Sequence, residues 1–232
     1  MATPKHLVLL PGLLCDGALW KHQSAYLKGT CEVHVADLTR DDSIPAMAAR
    51  ALEEAPSTFA LAGLSMGGYV ALEIMRQAPE RVERLALLDT NSRPDTEEQG
   101  KNRRALIRLA EIGTFKGVTP RLLPNLIHPS RMQDPEVAGV VMEMAERVGQ
   151  EAFVRQQTAI MNRPDSRPDL DGFRVPTLVL AGREDVLCPP PMQEEMAARL
   201  PNAKLVFVEI CGHLATLERP DEVNTAFRAW LG

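Results

Sequence analysis

The chain has 232 residues, of which 45% are apolar and 25% charged, and its 26 basic and 31 acidic side chains give a formal net charge of −5. A chain of this length and apolar content buries about 70% of the surface its unfolded form exposes, which excludes intrinsic disorder and makes disulfides or a structural metal unnecessary for folding. Charges of both signs are scattered, so no basic stripe offers itself to a nucleic-acid backbone or to anionic lipid, and no nucleic-acid partner is expected.

Leu7 to Leu14 is the first apolar run, and Pro11 and Gly12 break it; it is too short for a membrane span and lacks the cleavage pattern of a secretory leader. The expected location is cytoplasmic. Four cysteines, Cys15, Cys31, Cys188 and Cys211, form no C-x-x-C pair and are expected to be reduced thiols. Nothing in the sequence fixes an oligomeric state.

In chain order, strand-like runs begin with His6 to Leu10, Glu32 to Ala36, and Thr58 to Ala62. Arg84 to Leu88, Thr177 to Ala181, and Leu205 to Glu209 follow. Most are continuously apolar, the pattern of strands covered on both faces in a parallel sheet. Helix-like stretches lie between them at Ile44 to Ala55, Met66 to Gln77, Pro191 to Leu200, and Pro220 to Trp230. This alternation predicts an α/β layer fold with crossover helices on both faces. It fails over residues 92–165, where the apolar spacing is helical throughout. Leu106, Leu109 and Ala110; Leu122, Leu123 and Leu126; Val137, Val140, Val141 and Met144; and Phe153, Gln157 and Ile160 read as about four helices. That segment is expected to be an inserted helical lid, with Pro164 and Pro168 marking its exit, and residues 1–91 and 166–232 to form the core.

Ligands of open α/β sheets bind outside the carboxyl ends of the strands, so the loops after strands are where chemistry is expected. After the third run comes Gly63-Leu64-Ser65-Met66-Gly67, a G-x-S-x-G pentapeptide between an apolar strand and an apolar-periodic helix, the context of a nucleophile elbow. Small residues two positions either side leave room for a turn this sharp, and the helix directs free N–H groups and its positive dipole end at the serine. The Met66 N–H is therefore an expected donor to an oxyanion.

A serine hydroxyl needs a base, and the base needs an acid to hold its tautomer. Of the five histidines, His213 follows the last strand-like run directly in Cys211-Gly-His-Leu-Ala215. His6 and His34 lie in or beside strand-like runs, His22 lies on a helix and His128 in the insert. For the acid, Asp185 ends the loop Gly182-Arg-Glu-Asp185 after the fifth run; Glu184, its neighbour, and Asp89, after the fourth run, compete with it.

The order Ser65, Asp185, His213, each after a strand, resembles the α/β-hydrolase superfamily from Leu7 to the C-terminus. The resemblance implies a three-layer fold with a mostly parallel sheet, and because only five residues precede the first apolar run, the two early antiparallel strands of that family are expected to be missing and the sheet to have about six strands. It also implies a second oxyanion donor, the Leu13 N–H, from the loop Leu9-Leu-Pro-Gly-Leu-Leu-Cys-Asp16. This sequence has Pro11 where many members carry histidine before Gly12, and no Gly-Gly-Gly run follows, which points away from the lipases that carry one. Ser65 points away from the haloalkane dehalogenases, whose nucleophile is aspartate.

The implied activity is a cofactor-free serine hydrolase, a carboxylic ester hydrolase acting through an acyl-enzyme. Leu13, Leu14, Met66, Leu187 and Leu214 with the lid are expected to wall a pocket for a small to medium, largely apolar ester. Lactonase, thioesterase, C–C hydrolase and perhydrolase activities remain alternatives, as does a slow-turnover receptor that recruits a partner through its lid. Cys15, Cys188 and Cys211 share no ligand spacing with histidine or carboxylate, so no metal is expected.

Overall fold

A computed structural model describes residues 3–113 and 115–232. Residues 1, 2 and 114, which fall within the expected core and insert, lie outside the described residues. One sheet contains β1 (His6–Leu10), β2 (Glu32–Val35), β3 (Phe59–Leu64), β4 (Val82–Leu88), β5 (Thr177–Gly182) and β6 (Ala203–Val208), in the order β2-β1-β3-β4-β5-β6. Every pairing is parallel.

Successive side chains of a strand point to opposite faces, and both faces here are apolar. Leu7 and Leu9 enter one core with Trp20 and Leu27, which flank α1 (Lys21–Tyr26), and with α8 (Pro220–Leu231), where the Phe227 ring centroid lies 6.2 Å from that of Trp20 and 5.4 Å from that of Trp230. Val8 and Leu10 enter the other core with α2 (Ile44–Glu54), α3 (Met66–Gln77) and α6 (Pro190–Arg199). Ser43 starts α2 by accepting the Ala46 N–H, satisfying one of the donors a helix start leaves open. The registers Leu10↔Gly63, Leu64↔Leu88, Leu88↔Leu180 and Gly182↔Val208 align the carboxyl ends of five strands along one edge. Among the described residues no helix is long and apolar enough to cross a membrane.

Between β4 and β5 lie α4 (Glu97–Ile112) and α5 (Val140–Met161). A Thr96/Gln99 capping box opens α4. One of the expected insert helices differs from expectation. The stretch around Leu122, Leu123 and Leu126 is only a short turn, Leu123–Asn125, because Pro124 lacks an N–H and its ring blocks a continuing helix. The last two expected helices are both present, as the two arms of α5 on either side of Gly149, whose φ of 77° and ψ of 177° are not helical.

Arg163 bolts the exit of this segment to its entrance. It is buried, donates to the Asp95 carboxylate and to the Arg93 carbonyl at 2.9 Å, and lies over the Tyr69 ring at 4.3 Å. Asp95 is also paired with Arg103. Arg163→Met is expected to lower stability by about 2–4 kcal/mol, since it leaves a buried carboxylate with one partner instead of two. The shift of the chemical-denaturation midpoint measures it.

Candidate active site

Ser65 sits on the turn from β3 into α3 at φ 55° and ψ −115°, a strained conformation for a residue with a side chain. Its surroundings enforce it. A Cβ on Gly63 would lie 2.2 Å from the Gly67 carbonyl oxygen, and one on Gly67 would lie 2.0 Å from that of Leu10, so neither position tolerates a larger residue. The Ser65 N–H donates to the Leu88 carbonyl at 3.0 Å, and the Thr90 hydroxyl donates to the Ser65 carbonyl at 2.8 Å.

The loop after β6 brings His213 to this serine, with Nε2 2.9 Å from Ser65 Oγ and Nδ1 2.8 Å from an Asp185 carboxylate oxygen. Of the three candidate acids, Asp185 is the one that meets the histidine. Its other oxygen accepts the Leu187 and Cys188 N–H groups at 2.8 and 3.0 Å. Burial pushes the Asp185 carboxyl up, but the His213 charge and hydrogen bond and these two amides together hold it below the usual carboxylate range.

Asp89 instead accepts the Gly182 N–H at 2.8 Å and the Ala215 N–H at 3.3 Å, tying β4 to the acid and histidine loops. Burial, then the neighbouring Asp185 charge, hold its carboxyl well above the ordinary range. Glu184 accepts the Cys211 N–H at 2.9 Å.

Two further polar residues shape the site, and neither is marked by a local motif. Gln156, fully buried on α5, accepts the Leu14 N–H at 3.0 Å and donates to the Leu38 carbonyl at 3.1 Å, which fixes the loop after β1. The adjacent Leu13 N–H and the Met66 N–H have no protein acceptor among the described residues. Glu218, in α7 (Ala215–Glu218), accepts the Gly212 and Leu214 N–H groups on either side of His213, and the His128 N–H from the segment between β4 and β5. Burial pushes its carboxyl up, and those three amides oppose the shift. The His213 N–H itself donates to the Leu126 carbonyl at 3.1 Å.

Ser65 and His213 open into a cavity of about 350 Å³. Leu13, Leu14, Leu187 and Leu214 line it, joined by Leu106 and Phe153 from α4 and α5. The Met66 side chain does not; as the first residue of α3 it is directed into the core on the α2 side of the sheet.

Asp185, Cys188 and His213 place their potential ligand atoms within 4.8 Å of one another. Burial and then the Asp185 charge push the Cys188 thiol up, so at neutral pH it is a protonated neighbour rather than a thiolate ligand. Burial pushes Cys15 up to about 12 and raises Cys211 as well, while Cys31 is only half-buried. Alkylation of the native protein with iodoacetamide at pH 8 is therefore expected to label Cys31, and to reach the other three only after unfolding, as peptide mass mapping reports.

Comparison with known proteins places this geometry in a family. A curated relative from Mycobacterium tuberculosis, named as a non-heme bromoperoxidase, is 31% identical over 169 residues, which are 71% of this chain and 64% of the relative; the chain thus spans less than two thirds of it. A pimeloyl-[acyl-carrier protein] methyl ester esterase from Nitrosomonas europaea is 26% identical over 96% of this chain and 94% of its own. The solved structure of a thermophilic esterase from Thermogutta terrifontis superposes with a TM-score of 0.88 at 30% identity, covering 100% of this chain and 90% of that one. The profile of the alpha/beta hydrolase family matches residues 7–226, and with the parallel sheet and the serine turn described above, the chain belongs to that family.

Proposed function

We propose that the protein is a serine hydrolase that cleaves small to medium apolar carboxylic esters, with Ser65 as nucleophile, His213 as base and Asp185 as acid. The observation that carries the proposal is the unbroken chain from Ser65 Oγ through His213 to Asp185 at 2.9 and 2.8 Å, facing an apolar cavity. Ser65 Oγ attacks the ester carbonyl carbon while His213 Nε2 takes its proton. The charge that develops on the carbonyl oxygen is met by the Leu13 and Met66 N–H groups. Collapse expels the alcohol, which leaves with the proton from His213, and an acyl-enzyme remains. Water then gives a proton to His213 and its oxygen to the acyl carbon; Ser65 leaves and recovers its proton.

The cavity is near the lower end of the range for ligand pockets, roughly 300–1,000 Å³, which favours short chains over long lipids. Residues 92–165 act as its lid. Esterases among the relatives support an ester substrate over other acyl compounds. Mass spectrometry after fluorophosphonate treatment, beside p-nitrophenyl esters from acetate to decanoate, tests the reading. The expected result is one adduct on Ser65 and brisk turnover with an optimum among the shorter esters; no adduct, or an adduct without turnover, rules it out.

A further inference from the structure

The strand pairing assembles a second group of chemically capable side chains at the opposite ends of the strands. β1 and β2 pair with His6 opposite Glu32 and Val8 opposite His34, which brings His6, Glu32 and His34 together at the sheet edge. Glu32 and His34, two apart on one strand, share a face. His6 Nδ1 lies 3.4 Å from His34 Nε2 and 3.4 Å from one Glu32 oxygen, and His34 Nε2 lies 3.7 Å from the other. A tetrahedral cation bound by imidazole nitrogen and carboxylate oxygen at about 2.0–2.2 Å separates its ligands by about 3.3–3.5 Å, so these atoms stand within a few tenths of an ångström of that arrangement.

We infer that His6, Glu32 and His34 form a divalent transition-metal site of the zinc class, with water completing the coordination. Two imidazoles and one carboxylate suit Zn²⁺ and its neighbours rather than Mg²⁺ or Ca²⁺, which take oxygen ligands. The three side chains are 31%, 67% and 34% exposed, which leaves a path for the ion and room for the water. The site is remote from Ser65, since His6 begins β1 and Ser65 follows the far end of β3. Its consequence is structural: β2 is a four-residue strand at the sheet edge, and the metal cross-links it to β1. Sequence spacing does not show this site, because His6 is brought to the other two only by strand register.

The test is calorimetric titration of the full chain with ZnCl₂, beside the visible absorption of added Co²⁺ and thermal melts with and without Zn²⁺. The expected result is one equivalent bound, a tetrahedral Co²⁺ spectrum, and a Tm raised by several degrees, all lost in His34→Ala and in Glu32→Gln while ester hydrolysis is unchanged. Binding that persists undiminished in both variants places the ion elsewhere and overturns the inference, as does the absence of binding to the unaltered protein. Glu32→Gln removes only a charge from an exposed side chain, so it keeps the test decisive if His34→Ala perturbs the strand.

Discussion

Ser65→Ala is expected to lower kcat/KM for p-nitrophenyl esters by roughly 10⁴–10⁶-fold, about 5–8 kcal/mol of transition-state stabilisation, with the fold retained. The loss is this large because in the proposed mechanism the hydroxyl forms the acyl-enzyme, and residual hydrolysis then depends on the two proposed N–H donors and the cavity alone. Stability should change by no more than about 1 kcal/mol, since Oγ makes one hydrogen bond, to His213, at the mouth of an open cavity. The elbow itself is held by the backbone bonds to Leu88 and Thr90 and by the close approach of Gly63 and Gly67, none of which the substitution touches. Turnover within tenfold of the unaltered protein would defeat the proposed mechanism; a melt confirms that the variant is folded.

The second large effect is expected of Asp185→Asn, a fall in kcat of about 10³–10⁴-fold, set against Asp89→Asn, which should stay within about tenfold. The geometry of the acid explains the contrast. One Asp185 oxygen already accepts the Leu187 and Cys188 N–H groups, so the single oxygen of an asparagine is claimed by them and its amide nitrogen faces His213 Nδ1. That reverses the bond: the imidazole proton moves to Nε2, where it points at Ser65 and can no longer be a base. At position 89, by contrast, an asparagine oxygen can still take the Gly182 N–H, and the lost partner is the longer bond to Ala215.

Asp89→Asn also has a signature in stability. A buried carboxyl with a raised folded value binds its proton more tightly in the native state, so the unaltered protein loses stability as pH rises from the unfolded value through the folded one. An asparagine does not titrate there. The Tm of the variant relative to the unaltered protein should therefore be more favourable at pH 8 than at pH 5, whereas a flat difference would show that Asp89 is ionised natively at little cost.

The residues that meet at the cavity were legible where their signals are local. Ser65 is announced by glycines two positions either side, and His213 and Asp185 by standing directly after apolar runs. The sequence favours Asp185 over Asp89 and Glu184, but all three follow strands, and only through-space geometry separates an acid that meets the imidazole from one that ties loops. Gln156 and Glu218 were hidden for a similar reason: the partners of Gln156 lie 142 and 118 residues away in sequence, and one partner of Glu218 lies 90 away. Between β4 and β5, periodicity identified the helical segments, including the two that Gly149 separates, but missed that Pro124 reduces one of them to a turn.

The Glu218 carboxylate has a kinematic consequence for traffic through the cavity. With the Leu126 carbonyl, it fastens residues 126–128 to the backbone on both sides of the imidazole, so that stretch and His213 form one body. Peeling that wall outward would carry His213 away from Ser65, making access and reactivity mutually exclusive on that side. α4 has no such tether to the histidine loop among the described residues, and its Leu106 and Leu109 are 43% and 63% exposed at the cavity. The same polypeptide segment thus borders the cavity in two ways, as a wall fastened to the backbone around His213 and as a helix held to α5 and Asp95 but not to the histidine loop.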